Sequence, residues 1–343
     1  MERSNAAAET LKVSAVILLL AFLAFVSFLI GRYPLAPSMV LRIFIGKALH
    51  LCPTWTDDME AVLFKIRLPR ILAAMVVGAA LSASGAAYQG MFRNPLVSPD
   101  ILGVSAGASF GAAFAILFSW TIVGIQAAAF GFGLFAVMAT YVVSTRFSKN
   151  RDTLLVMILA GVIVGTLFAS FVSLIKYVAD PTNKLPAITY WLMGSLASVS
   201  SHDVYVVSVP ILVGLIPMFL LRWKLNVMSF GDEEAKSLGV NTGALRFWVI
   251  VCATLMTASA VSISGIIGLV GLIVPHLARL LVGPNYKVLL PMSIVMGALF
   301  LLGVDDLART IYVSEIPLGI ITSIVGAPIF LYLLLSSRGG WTS

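Results

Sequence analysis

The most informative pattern in the chain is a series of long apolar stretches that contain no charged side chain. Residues 71–92, 101–145 and 316–337 are three of them. A helix needs about 20 apolar residues to cross the hydrocarbon core of a bilayer, where backbone polar groups must bond to one another. The pattern therefore predicts an all-α, polytopic membrane protein.

The apolar runs predict ten transmembrane helices, distributed from one end of the chain to the other. The expected ranges are about 12–31, 68–92, 101–119, 122–146, 153–178, 204–222, 245–263, 266–283, 287–304 and 317–336. A shorter apolar piece at 186–197 predicts a re-entrant or surface helix. Because no remaining stretch is long enough for a second domain, residues 1–343 are expected to form a single integral membrane domain.

Composition and charge agree with a membrane location. The chain is 60% hydrophobic and 11% charged, with a formal net charge of +7 and a mean hydropathy of +1.03. The basic residues are scattered, which favours loops that face anionic headgroups over a nucleic-acid site. Ten crossings place both termini on one side, and that side carries more than half of the 22 Lys and Arg residues. We therefore expect cytoplasmic termini in a cytoplasmic membrane.

Catalytic and cofactor-binding patterns are absent from the sequence. None of the three histidines has a second ligand at helical metal spacing, and Cys52 and Cys252 suggest no disulfide. The pair Gly46-Lys47 is followed by Ala48, so there is no P-loop for ATP. No predicted helix carries an acidic residue at its middle, which weighs against an ion-coupled carrier. Backbone carbonyls can bind sodium, so that class stays open.

One loop motif, in the longest predicted inner loop at about 223–244, predicts a short helix. Acidic residues at 232–234 begin it and Gly239 ends it, an order that suits the helix dipole. As a bare pattern this is most often a solvated loop helix. Phe230, Ala235 and Leu238 nevertheless give it an apolar face on which a cytosolic partner could dock.

A second motif follows the segment 68–92, at residues 93–100. Two prolines and Asn94 stop one helix, and Asp100 can begin the next. The plain interpretation is a rigid turn, and the functional one is a constriction at the cytoplasmic mouth of a path.

A third motif is Arg67-Leu-Pro-Arg70. Pro69 suits the first turn of a helix, and the two arginines are expected to project at its outer rim. They could extend to the membrane interface, or they could pair with carboxylates of an acidic external partner.

Taken in order, these motifs resemble the FecCD-type permease family, the membrane subunits of type II ATP-binding-cassette (ABC) importers for iron-siderophores, haem and vitamin B12. The resemblance covers nearly the whole chain. It rests on the segments Arg67–Arg70, Gly90–Gly107, Tyr190–Ser195, Gly231–Val240, Gly268–Arg279 and Glu315–Pro328.

The resemblance implies a homodimer of ten-helix subunits with a translocation path along the two-fold axis. It also implies two cytosolic ATPase subunits, which would bind ATP and Mg²⁺, and a soluble substrate-binding protein outside. This chain itself would need no cofactor. The segment that would couple it to the ATPase comprises Gly231, Asp232, Glu233, Glu234, Ala235, Lys236, Leu238 and Gly239.

The same resemblance assigns two further sites. Arg67, Arg70 and Arg309 match positions at which the family's arginines meet glutamates of the binding protein. Asn94 and Leu96 match the cytoplasmic gate.

The expected function is therefore that of a non-enzymatic importer permease for an iron chelate, either a ferric siderophore or haem. A vitamin B12 importer is the alternative within the family. An ion-coupled secondary carrier and a polytopic signalling or assembly subunit are the alternatives outside it.

Overall fold

The structure, a computed structural model, describes residues 2–147, 153–312 and 314–336, and in these ranges it is helical with no strand. The helices are α1 (Glu2–Ser27), α2 (Pro37–Ala48), α3 (Asp57–Ala61), α4 (Leu68–Phe92), α5 (Val104–Leu117), α6 (Ile122–Phe147), α7 (Thr153–Val178), α8 (Lys184–Met193), α9 (Ser201–Met228), α10 (Asp232–Ser237), α11 (Thr242–Ser264), α12 (Val270–Val282), α13 (Tyr286–Thr310) and α14 (Leu318–Ser336). The all-α membrane fold is thus confirmed.

Among the described residues, seven stretches are long and apolar enough to cross a bilayer. They are Ala8–Ser27, Asp57–Phe92, Ile122–Phe147, Thr153–Val178, Ser201–Met228, Thr242–Ser264 and Tyr286–Thr310. The helices predicted at 101–119 and 266–283 are shorter than expected, because α5 and α12 have 14 and 13 residues. At 1.5 Å per residue each rises about 20 Å, less than the hydrocarbon core. A count of ten crossings stays a prediction.

Glycine explains why α5 is short. Gly103 has φ +85° and separates α5 from a 3₁₀ turn, Pro99–Leu102, so the predicted helix start at 101 is wrong. Within α5, Gly107 and Gly111 lie against the backbone carbonyls of Phe132 and Ala128 on α6. A side chain at either glycine would overlap those oxygens, so the small residues permit close helix contact.

The helix predicted at 68–92 matches α4, with Pro69 in its first turn, but helical backbone begins further upstream than the sequence patterns indicate. Helix α3, a π-helical stretch Val62–Arg67 and α4 form one continuous rod. Proline lacks an N–H and clashes with the carbonyl four residues earlier, and a π-helical turn relieves that conflict. This rod and α2 fill the region 32–67, in which the sequence patterns predicted no helix.

Helix α4 is the centre of the bundle, with most of its side chains buried. It packs against α9, α11, α12 and α13. Gly78 lies against the carbonyl of Gly297 on α13, and Gly85 lies against that of Gly271 on α12. Helices α7 and α14 pack at the edge of this bundle and leave long exposed faces.

The described charged residues concentrate at the two ends of the bundle. The end that holds Arg93 and α10 is called the inner end, after the predicted orientation, and the end that holds Arg70 is the outer end. The loop 148–152, whose Lys149 and Arg151 entered the charge comparison, lies outside the described residues.

Candidate functional site

The predicted short helix of the inner loop is present as α10. Gly231 with φ +136° precedes it and Gly239 with φ +77° follows it, so both ends use backbone conformations that favour glycine. Three acidic residues occupy its first turn and Lys236 its last, as the dipole prefers. The segment 231–239 is therefore a defined structural unit at the inner end.

The orientation of α10 corrects one part of the sequence interpretation. Ala235 is fully buried against the bundle and gives no docking surface, whereas Phe230 and Leu238 are exposed. Asp232 accepts a hydrogen bond from Arg246 of α11 at 2.5 Å. Ala235 and this ion pair therefore attach one face of α10 to the bundle formed by α9 and α11.

The inner turn after α4 is rigid, as the prolines predict. Arg93 has φ +50° and ends the helix. The Asn94 Oδ1 accepts the backbone N–H of Leu96 at 2.9 Å, and Ser98 Oγ accepts that of Asp100 at 3.3 Å. Asn94 thus holds the turn, and Leu96 is left half-exposed.

A cleft of about 650 Å³ opens at the inner end beside this turn. Its lining residues come from the ends of α4 and α9 and from the connection between α12 and α13. They are Gln89, Gly90, Arg93, Asn94, Pro95, Asn226, Ser229, Phe230, Arg279, Pro284, Asn285 and Tyr286. The motif at 93–100, interpreted as a constriction at the cytoplasmic mouth, contributes Arg93, Asn94 and Pro95 to this cleft. The complete lining could not be predicted, because its residues lie in four separate segments.

At the outer end, Arg67 is buried, with 3% of its surface exposed. Its guanidinium donates to the backbone carbonyls of Phe28 and Tyr33, which follow α1. The prediction that this side chain projects at an outer rim is therefore wrong. Arg67 satisfies carbonyls at the end of α1, which no helical N–H can reach.

Arg70 is also buried, with 6% of its surface exposed, and has two carboxylate partners. Its Nε and Nη2 each lie 2.9 Å from Asp305 Oδ1, and its Nη1 donates to Glu315 Oε2 at 2.7 Å. Arg309 pairs with Asp305 at 3.2 Å and also with Asp306. Asp306 accepts a hydrogen bond from Ser27 of α1 at 2.5 Å.

Arg70 and Arg309 are ion-paired with three carboxylates, and Arg67 lies beside them on the same cavity with no carboxylate partner among the described residues. These six residues, whose formal charges sum to zero, are called the outer ion cluster: Arg67, Arg70, Asp305, Asp306, Arg309 and Glu315. It joins α1, α4, α13 and the segment before α14. The arginines were predicted as surface groups, and the structure corrects this, because a buried guanidinium must be paired and hydrogen-bonded. One sequence feature could have indicated the ion pairs: Asp305 and Asp306 precede Arg309 by four and three residues on a helix, which is the spacing of side chains that contact each other.

The outer ion cluster still borders an opening to the outside. A cavity of about 220 Å³ is lined by Arg67, Arg70, Arg309 and Glu315, together with residues 30–33, Val62 and Ile66. The guanidiniums of Arg67, Arg70 and Arg309 and the carboxylate of Glu315 are therefore close to the outer surface. Of the three internal carboxylates, Asp305 is fully buried and Glu315 is the most exposed.

Helix α7 presents an exposed face of unusual composition for a membrane helix. Thr166, Ser170 and Ser173 lie along it, and each hydroxyl donates to the carbonyl four residues earlier. Leu159 and Ile163 extend the same face toward the inner end. These five residues form an uncharged face that is apolar toward the inner end and carries hydroxyls further along the helix.

Comparisons with known proteins agree with one another. The sequence profile described as the FecCD transport family matches residues 18–336. The chain is 42% identical over 328 residues to the molybdate import system permease protein of Haemophilus influenzae, covering 94% of this chain and 95% of that protein. It is 41% identical over 283 residues to the probable iron chelatin transport system permease protein of Helicobacter pylori, covering 82% and 85%.

The fold has a solved counterpart. A structure described as an inward-facing conformation of a metal-chelate type ABC transporter superposes with a TM-score of 0.85 at 39% identity, covering 94% of this chain and 98% of that one. Relatives of this kind are permease subunits rather than enzymes. From these matches and from the helical membrane architecture, we conclude that the chain belongs to the FecCD transport family and is a permease subunit of a type II ABC importer.

Proposed function

We propose that this permease carries an iron chelate, a ferric siderophore or haem, across the cytoplasmic membrane. Hydrolysis of ATP by a separate ATPase would drive transport, and this chain would hold no cofactor. The observation that carries the proposal is the exposed face of α7, which offers hydroxyl and apolar surface along a membrane-length helix. Such a surface suits a bulky chelate whose metal is already wrapped by its own ligands.

Relatives of similar identity differ in what their names say they carry. They include the iron chelatin permease of Helicobacter pylori, a hemin permease of Yersinia pestis at 35% identity and a cobalamin permease of Halobacterium salinarum at 42%. The second candidate for this chain is therefore vitamin B12, and molybdate is a third because of the Haemophilus influenzae relative. An ion-coupled carrier loses its support, since the relatives are permeases of ABC systems.

We also propose that two copies of this chain form the path. Helix α14 makes few contacts within one protomer and exposes Ile324, Leu331 and Tyr332. Together with α7 it provides two membrane helices whose free faces a second copy would cover. The hydroxyls of α7 would then face the path rather than lipid, which offers them no hydrogen-bond partner.

At the inner end, α10 would seat in the ATPase and transmit its movement. The residues proposed to couple are those of 231–239, with Ala235 and Asp232 holding α10 to the permease and Leu238 contacting the partner. Asn94 and Leu96 would form the cytoplasmic gate, Asn94 by holding the turn and Leu96 by closing the path. This arrangement requires cytoplasmic termini.

At the outer end, the binding protein would dock over the cavity beside the outer ion cluster. Its glutamates would have to displace Glu315 from Arg70 or approach Arg309. Arg67 would contribute less to docking than Arg70 and Arg309, because its guanidinium is engaged by backbone carbonyls. Charge reversal of Glu315 to Lys is expected to weaken docking less than reversal of Arg70 to Glu.

Purification of the tagged permease from native membranes in mild detergent tests the proposal. We expect a stoichiometric ATPase and a binding protein, whose bound ligand is then identified by mass spectrometry. Reconstituted uptake is measured with radioactive iron chelates, with cobalamin and molybdate as competitors. Uptake of cobalamin or molybdate in preference to every iron chelate would refute the proposed substrate and leave the permease class intact.

A further inference from the structure

The cleft at the inner end is lined by polar and apolar residues, and the charged ones are all basic. Arg93 and Arg279 are its two charged residues, and no carboxylate lines it. In the ranges 2–147, 153–312 and 314–336, no carboxylate lies within ion-pair distance of either guanidinium. Two unpaired cations in one concave site favour an anionic ligand.

Arg279 is held in place by neutral partners. Its Nη2 lies 3.4 Å from Gln89 Oε1 and 3.4 Å from the Tyr286 hydroxyl. Gln89 and Tyr286 are 2% and 3% exposed, and Gln89 itself donates to the Leu272 carbonyl at 3.2 Å. The guanidinium is therefore oriented without being neutralised, which is the state that an anion site requires.

Three asparagines of the lining have their side-chain oxygens already engaged. The Oδ1 atoms of Asn94, Asn226 and Asn285 accept the backbone N–H groups of Leu96, Tyr286 and Lys287 at 2.9, 3.2 and 3.1 Å. In each amide only the NH₂ group is left to bind a ligand. The three amides and the two guanidiniums thus present donor groups to the cleft.

We propose that this cleft binds a carboxylate-bearing segment of the cytosolic ATPase, as a second contact beside α10. The proposal rests on the proposed function, because it requires the ATPase as a partner. Phe230 lines the cleft and directly precedes Gly231, so the cleft and the coupling segment form one continuous surface. A volume of about 650 Å³ accommodates several side chains rather than a single small anion.

Charge favours a protein ligand over a lipid surface. Exposed Glu233 and Glu234 lie in the first turn of α10. The Glu234 carboxylate and the Arg93 guanidinium both approach Gly231, so acidic and basic groups adjoin at the edge of the cleft. A surface of anionic headgroups offers no basic group that could pair with those carboxylates. A folded protein can carry acidic groups that face the arginines of the cleft and basic groups that face the glutamates of α10.

The test measures binding of the copurified ATPase to the permease in nanodiscs at low and high salt. Arg93→Gln and Arg279→Gln are each expected to weaken binding about tenfold at low salt, and to reduce the salt dependence. Arg222→Gln is the matched control, since Arg222 is a half-buried arginine at the same end that stacks on Phe219 outside the cleft. Arg93 is exposed, so its substitution leaves the bundle intact even if Arg279→Gln disturbs Gln89.

A chemical test identifies the ligand directly. Arg93→Lys keeps the charge and supplies an amine that a carbodiimide can join to a carboxylate at zero length. We expect a cross-link between position 93 and an Asp or Glu of the ATPase, absent from the unsubstituted protein and from Arg222→Lys. A cross-link confined to this chain would overturn the proposal.

The outcomes separate this inference from the proposed function. If Leu238→Asp abolishes ATPase binding while Arg93→Gln with Arg279→Gln leaves it unchanged, the coupling segment stands and the cleft proposal fails. If the unsubstituted permease binds no ATPase, the proposed partnership itself fails. If the double variant binds the ATPase normally but loses binding of inorganic phosphate, the site takes a small anion and the proposal is likewise overturned.

Discussion

Asp305 is the fully buried carboxylate on which the outer ion cluster depends. It contacts both Arg70 and Arg309, at distances of 2.9 and 3.2 Å. Asp305→Asn keeps the shape of the side chain and removes its charge. The cluster would then hold three arginines against Asp306 and Glu315, and only Asp306 of these two is nearly buried.

The loss of stability expected for Asp305→Asn follows from the cost of leaving a buried charge without its partner. Removing one partner of a buried ion pair destabilises proteins by about 3 to 5 kcal/mol. Arg70 retains Glu315 and Arg309 retains Asp306, so we expect a value at the lower end, about 3 kcal/mol. For a chain of this size, each kcal/mol of lost stability lowers the Tm by roughly 2 °C, so we expect the apparent Tm to fall by about 6 °C.

The assay is thermal loss of monodisperse protein in detergent, followed by size-exclusion chromatography. Asp58→Asn is the control, because Asp58 is an exposed acid at the same end, on α3. Asp305→Asn combined with Arg70→Gln is expected to be less destabilising than the sum of the single changes, by about 1 to 3 kcal/mol. Equal apparent Tm values for Asp305→Asn and Asp58→Asn would refute the assignment of this cluster as a structural lock.

Three further predictions address other parts of the bundle. Gly85→Ala would place a methyl group on a carbonyl oxygen of α12 and should abolish the monodisperse peak in size-exclusion chromatography. Gly131→Ala is the control, because Gly131 faces open space on α6; it should leave the stability unchanged or raise it by about 0.5 to 1 kcal/mol. Ala235→Leu should displace α10 and abolish ATP-driven uptake with little loss of thermal stability, whereas Ala244→Leu, at an exposed alanine of α11 outside the segment 231–239, should retain most uptake. Equal uptake by the two variants would contradict the packing role of Ala235. Ser200→Ala removes the capping box of α9 and should lower the stability by about 1 kcal/mol in the same thermal assay. An unchanged stability would show that Asp203 alone is enough to cap the helix.

Comparison of the sequence with the structure shows where local patterns suffice. The acids and the glycine of 231–239 specify α10, since caps and the helix dipole act within one turn. The same reasoning failed for Ala235, because periodicity shows that a helix has an apolar side but not which side the bundle covers. Pro69 lies in the first turn of α4 as predicted, but a π-helical turn lets the helix continue back to Asp57, which no local pattern indicated.

The burial of the outer arginines is a second feature that local sequence patterns could not predict. Arg67 and Arg70 were expected at an exposed rim because they flank a proline at the start of an apolar run. Their partners lie on α1, on α13 and before α14, up to 245 residues away in sequence. Only the packing of these elements brings the charges together, so no local rule could have identified them as buried.

The sequence by itself determined that this chain is a helical membrane protein, because charge-free apolar runs of bilayer length allow no other backbone arrangement. It also determined the short helix α10 and, through the resemblance of its motifs, the family. The tertiary structure alone decided which charges are exposed, which glycines meet a neighbouring backbone, and that donors from four segments line one inner cleft. The physical reason is that burial and pairing depend on neighbours distant in sequence, whereas helix formation and membrane insertion depend on residues that are adjacent in the chain.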